Sequence, residues 1–256
     1  MNPDEFAIAV TVAVFAAGAL GLILRHILPE KHVTGAAKDM IGAVVGLLTL
    51  LSALVLGLLI WTAHGVYSAQ NAAIQTLAAK ALDLDLALAE YGPEANAMRA
   101  QFRQGLASTI DQVWGASESD RNFAAANFAA AVRSRHNWEA SLASLRPSTD
   151  AQKQALAAAK SLIESIAQSR LQMSFALTNP VSIPLVLVVA GWATLLFFGY
   201  GLMSGSSTAS FLATGLGAIA AGSAVLLILE LSSPYSGIFR ASPAPLEQVL
   251  AVMGKD

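Results

Sequence analysis

Residues 41–63 read IGAVVGLLTLLSALVLGLLIWTA, and no charged side chain occurs between Asp39 and Lys80. A helix needs roughly 20 apolar residues to cross the hydrocarbon core of a bilayer, where every backbone polar group must be satisfied internally. The stretch fits a transmembrane helix. Residues 6–24, FAIAVTVAVFAAGALGLIL, fill a second charge-free interval between Glu5 and Arg25. A third interval, from Arg170 to Glu230, holds two more such segments, 183–203 and 208–231, which meet at the small, polar residues after Ser204. The expected fold is all-α: an integral membrane protein with four transmembrane helices and a helical bundle inserted between spans two and three. Its parts are residues 1–24 (first span), 25–40 (basic connector), 41–63 (second span), 64–178 (bundle), 183–203 and 208–231 (third and fourth spans) and 232–256 (tail).

The composition agrees, with 55% hydrophobic and 12% charged residues. Charge is segregated. The interval from Lys80 to Arg170 carries ten basic and ten acidic side chains, so the middle of the chain is polar but neutral. That gives no electrostatic footprint for nucleic acid. The absence of cysteine excludes disulfides and thiol nucleophiles. A cleaved signal peptide opens with a basic region, whereas this chain opens Met-Asn-Pro-Asp-Glu, so the first span is expected to be retained.

With four spans, the connector 25–40 lies opposite the N-terminus, the bundle and the tail. It carries Arg25, Lys31 and Lys38, the short-loop positive charge that marks a cytoplasmic face. The charges therefore place the bundle outside the cytoplasm, in a multi-pass protein of the bacterial inner membrane.

Helical spacing continues beyond the second span through Val66, Ile74, Leu77, Ala81, Leu84 and Leu88, with no Pro from Val66 to Tyr91. Gly92-Pro93 breaks the helix, and Pro93-Glu94 restarts one with Met98, Phe102, Leu106 and Ile110 on a single face. A third helix is expected over residues 121–145. Pro147 stops it, and Thr149 with Gln152 matches a capping box for a fourth. Short connections between four helices imply an antiparallel bundle.

Gly42 and Gly46 form a GxxxG in the second span, a pattern that lets helices approach closely; packing within one subunit is the simpler use, self-association the other. Gly18, Gly21, Gly215 and Gly217 add further small faces. His26, Glu30 and His32 share the first connector, but nothing in the sequence fixes them as metal ligands, and no metal or cofactor is expected. Glu230 closes the fourth span on the side of His64 and Tyr67. A carboxylate there is either a boundary charge reaching the interface or a member of a pair, with His64 or Arg240 as partner. The four residues form a candidate polar boundary site. Ser, His and Asp are scattered without hydrolase spacing, so no enzyme is expected.

Leu24-Arg25 with Leu28-Pro29-Glu30, residues 53–60, Tyr67-Ser-Ala-Gln70, Gly92-Pro93-Glu94-Ala95, Asp111-Gln-Val-Trp114, and Pro234-Tyr235 with Pro245-Leu246 form a set of local motifs. Together they resemble one bacterial family of membrane proteins carrying a bestrophin-like domain. The resemblance implies a homo-oligomeric anion channel with four spans per subunit, a pore lined by the second span, and a helical domain in the cytoplasm. That orientation is opposite to the one the charges give. On this reading Leu47, Leu51, Leu54, Leu58 and Trp61 line the pore, and an apolar stripe gates by dewetting. The alternative is a membrane-anchored sensor or interaction protein whose bundle binds a ligand or protein partner.

Overall fold

The computed structural model describes residues 3–27, 35–114, 137–138, 140–176, 182–205, 207–235 and 237–253. The expected third bundle helix falls mostly in 115–136, and Glu30 and His32 in 28–34, outside the described residues. Seven α-helices are described: α1 (Pro3–Ile27), α2 (Ala36–Tyr91), α3 (Asn96–Trp114), α4 (Asp150–Ala176), α5 (Ile183–Met203), α6 (Thr208–Leu231) and α7 (Ala244–Val252). Four of them, α1, α2, α5 and α6, are long and apolar enough to cross a membrane. The chain divides into two compact units, Met1–Gly65 with Val181–Ser232 and Val66–Pro180 with Ser233–Asp256. The start of α2 belongs to the first and its remainder to the second.

In the first unit α1 packs against α5 and α6, and the contacts are made where side chains are missing. A Cβ at Gly21 would meet Phe198 O and would lie 3.1 Å from Gly201 Cα. One at Gly201 would collide with Gly18 O and come within 2.9 Å of Leu22 N. The two helices therefore cross backbone on backbone. Two turns nearer the start of α1, Gly222 of α6 lies over Thr11, whose hydroxyl turns back to donate to Ala7 O at 2.9 Å. Gly217 makes room for the Phe197 ring. Such close approach is how apolar helices associate where no hydrophobic drive operates between them.

The second unit is built differently. The distal part of α2 runs to Tyr91, where Gly92 takes φ 115° and ends it. Only glycine adopts that backbone readily. A 3-10 turn (Pro93–Ala95) follows and delivers the chain to α3. The Leu84, Leu88, Met98, Leu142, Leu156 and Ile163 side chains then close one core, with Phe102 edge-on to Trp138 at 5.5 Å. A second core gathers Ile74, Ala78, Ile110 and Met173 with Ala241 and Leu246 of the tail. Asp85 and Arg99 pair in bidentate fashion, at 3.0 and 2.9 Å, and hold α2 to α3. At the start of α4, Gln152 N bonds Thr149 Oγ1 at 3.2 Å as a capping box requires. The Gln152 side chain reaches one residue further back than the motif predicts, accepting from Ser148 N at 2.8 Å.

Candidate functional site

Within the first unit α2 has two unlike faces. Val45, Leu59 and Ala63 are buried, and Thr49 accepts a hydrogen bond from Tyr200 on α5 at 3.0 Å, its own proton being given to Val45 O. These positions lie four, ten and four residues apart, which keeps them along one side of the helix. Half a turn away, Leu47, Leu50, Leu54, Leu58 and Trp61 are exposed, Leu54 by 72% and Trp61 by 75%; Leu51, at 38%, sits on the flank. The five sequence-derived pore candidates thus share one outward sector of α2. Of the helix's hydroxyl residues, Thr49 lies on the packed side, and Thr62 returns its proton to Leu58 O. Only 11% of the apolar stretch of α2 is buried, against 39% for α1.

Among the described residues, no helix backbone packs against the GxxxG of α2. A Cβ at Gly46 would meet nothing within 4 Å, and one at Gly42 would come 3.3 Å from the terminal methyl of Met203 alone. Close backbone packing in this unit is made by Gly18, Gly21 and Gly201, while Gly42 faces only the flexible end of Met203 and Gly46 faces open space. The reason is rotational. The packed side of α2 carries Val45, whose Cγ2 fills the space above Gly199, while Gly46 points away.

The polar boundary residues have unlike surroundings. His64 and Arg240 are exposed, Tyr67 is half-buried, and Glu230 is only 4% exposed. Glu230 is thus the one member of the four that is enclosed by its own chain.

In the second unit the tail is held by a small polar network absent from the sequence reading. Gln70, 2% exposed, donates to Met173 O at 3.3 Å and accepts from the Tyr235 hydroxyl at 2.9 Å. Trp114 stands edge-on to Tyr235 at 5.8 Å and donates to Ala241 O at 2.7 Å. Burial pushes the Tyr235 phenol above its ordinary range. These residues sit in three of the stretches that carry the family resemblance, and that is where they could have been found. Arg103 adds a bond to Met253 O at 3.0 Å.

Between the two cores of this unit lies a cavity of about 160 Å3. Each of its three main walls is one helix face. Leu77, Ala81 and Leu84 come from α2, and Phe102, Gly105, Leu106 and Thr109 from α3. Ile163, Ile166, Ala167 and Arg170 come from α4, with Trp138 and Leu246 closing the rest. The wall is apolar except near Thr109 and Arg170. Burial lowers the Arg170 pKa from its usual value, yet a guanidinium remains charged in proteins. Among the described residues, no group of three His, Asp or Glu side chains could hold a metal.

No curated protein and no solved structure matches the chain. A family model described as "Bestrophin-like domain" matches residues 12–246, a range that takes in α1 from Val12, the other three apolar helices, both cores and the Pro245-Leu246 motif of the tail. The chain belongs to the Bestrophin-like family.

Proposed function

We propose that the protein forms a homo-oligomeric, bestrophin-like ion-conducting pore in a lipid bilayer, carrying out no chemical step, with α2 facing the conduction path. The outward sector of α2 is the observation that carries this reading. An unbroken row of leucines projects from the least covered of the four apolar helices, and among the described residues no second element packs over it at Leu54 or Trp61. In a ring of subunits these residues form a constriction, and a hydrophobic constriction closes by excluding water. Planar-bilayer recordings test it. Leu54→Ser and Leu58→Ser should keep the constriction wet and raise conductance over wild type. Silence of all three proteins under varied anion gradients, with the oligomer intact, rejects the pore.

The proposal extends to the bacterial inner membrane with the bundle outside the cytoplasm, a side supported by the basic connector Arg25, Lys31 and Lys38. An impermeant thiol reagent on intact cells should label Lys153→Cys and spare Lys38→Cys. A second reading, that the bundle binds a ligand or partner as a sensor or interaction module, is favoured by the cavity between its two cores.

A further inference from the structure

The cavity between α2, α3 and α4 has three properties that together describe a ligand. The first is size. At about 160 Å3 it matches an engineered apolar cavity of roughly 150 Å3, which stays dry and takes up benzene. It is open on one side, and its inner space holds one ring or an equivalent branched chain.

The second is how the space is kept open. Gly105 occupies the interior of α3, where glycine destabilises a helix relative to alanine. Close approach of another backbone is the usual reason for such a glycine. It does not apply, because a Cβ at Gly105 would meet nothing within 4 Å. Gly105 is exposed and leaves open space at the mouth of the cavity, and Ala81 and Ala167 widen it from the facing helices.

The third is charge. Arg170 is the cationic group of the wall. Its guanidinium has five N–H donors in a planar fork, enough to keep protein partners and still take a carboxylate edge-on. Thr109 gives its hydroxyl proton to Gly105 O at 2.8 Å, so it offers the cavity only lone pairs. An anionic head is therefore directed to Arg170 and the apolar remainder to Phe102, Leu106 and Ile163.

We propose that this cavity is a binding site for a small monocarboxylate with a single compact apolar group, an arene or branched-chain acid, its carboxylate on Arg170. The proposal rests on the second reading above, that the bundle is a binding module, and is independent of the pore.

Calorimetry on the full chain in detergent micelles tests it with three probes: benzoate, its neutral analogue benzyl alcohol, and acetate. Benzoate should bind at least tenfold more tightly than benzyl alcohol, and acetate should give no heat. Arg170→Gln should bring benzoate down to the level of benzyl alcohol, and retained binding of the alcohol reports that the bundle is folded. Gly105→Leu fills the cavity; it should keep the thermal midpoint at or above wild type and abolish binding of both aromatic probes. Benzoate and benzyl alcohol binding equally to wild type would overturn the carboxylate assignment while leaving the bundle a binding module. Benzoate binding unchanged in Gly105→Leu places the site elsewhere and rejects the proposal. No binding of any probe rejects both the ligand class and the cavity as a binding site.

Discussion

The two units solve the same problem, holding helices together, with opposite means. In the first, α1 meets α5 and α6 through Gly18, Gly21, Gly201 and Gly222, while large side chains such as Ile8, Leu20, Leu212 and Leu216 point outward. In the second, large aliphatic side chains point inward, and polar side chains clamp the helices through directional bonds. The difference follows from the solvent each unit is suited to. Among lipid tails a leucine gains little by turning inward, so association depends on close van der Waals approach. In water, burial of apolar surface is the dominant favourable contribution, and buried polar groups must be paired.

The sharpest test of that contrast removes a clamp from the second unit. Asp85 is 4% exposed, and its carboxylate is held by Arg99 Nε and Nη2. Taking away one member of a buried pair leaves a charge without compensation. Arg99→Ala should therefore lower stability by about 3–5 kcal/mol, measured by thermal or denaturant unfolding in micelles. The double variant Asp85→Leu with Arg99→Met should recover most of the loss, since a well-packed apolar pair of similar volume is often as stable. If Arg99→Ala costs no more than a surface substitution, the second unit is not organised by its polar clamps.

The first unit breaks in a different way. Gly201 lies against the α1 backbone, near Leu22 N and Gly21 Cα, and a backbone cannot move aside as a side-chain tip can. Gly201→Leu should cost about 3 kcal/mol, the upper end of ordinary overpacking. Its effect should appear as separation of α1 from α5, visible as faster proteolysis of the connector 25–40, while the second unit keeps its unfolding transition.

How much of this was legible in the sequence depends on the range of the interaction. The lengths of the four apolar helices, the stop at Gly92 and the helical faces through Leu84 and Met98 follow from local periodicity and turn chemistry, and the sequence carries both directly. Which glycines make contact does not. Gly42 and Gly46 have the recognised spacing, yet Gly21 and Gly201 do the packing, because contact is set by how each helix is rotated about its axis. Glu230 is a related case: its place at a helix end leaves a boundary charge and a buried pair both open, and only the packing of the α6 end shows that it is buried. The cavity was hidden as well. It depends on Gly105, Ala81 and Ala167 meeting across three helices, and none of them is conspicuous alone.

A milder test addresses the tail. Tyr235→Phe deletes the donor to Gln70 Oε1 and leaves that buried amide oxygen without it. The expected loss is about 1–2 kcal/mol, the scale for stranding a buried polar group. The pH dependence separates this from simple repacking. The phenol's pKa is raised by burial, so the folded state holds its proton beyond the point, about pH 10, where an exposed tyrosine ionises. The stabilisation is complete below that pH and is lost as pH climbs through and beyond it. Wild type and Tyr235→Phe should therefore converge in alkaline solution, and parallel curves up to pH 11 would assign the loss to packing alone.

The smallest effect on the chain itself is expected at Gly46, and it completes the contrast. Gly21 and Gly46 both sit in apolar helices, but a Cβ at Gly21 strikes a backbone while one at Gly46 meets nothing within 4 Å. Gly46→Leu should leave the stability of the isolated chain within about 0.5 kcal/mol of wild type, the range of a substitution that touches no special feature, and a helix-interior glycine replaced by leucine gains in helix propensity. Gly57, one helical stripe along, meets equally open space. If the outward sector of α2 is where subunits meet, the leucine acts there instead, and the purified variant should show a lower assembled mass with an unchanged unfolding transition for the separated chain. A variant that unfolds earlier as a monomer would mean that Gly46 packs within its own subunit after all. One that keeps both mass and stability would leave the outer face of α2 to lipid, and with it the strongest support for a pore.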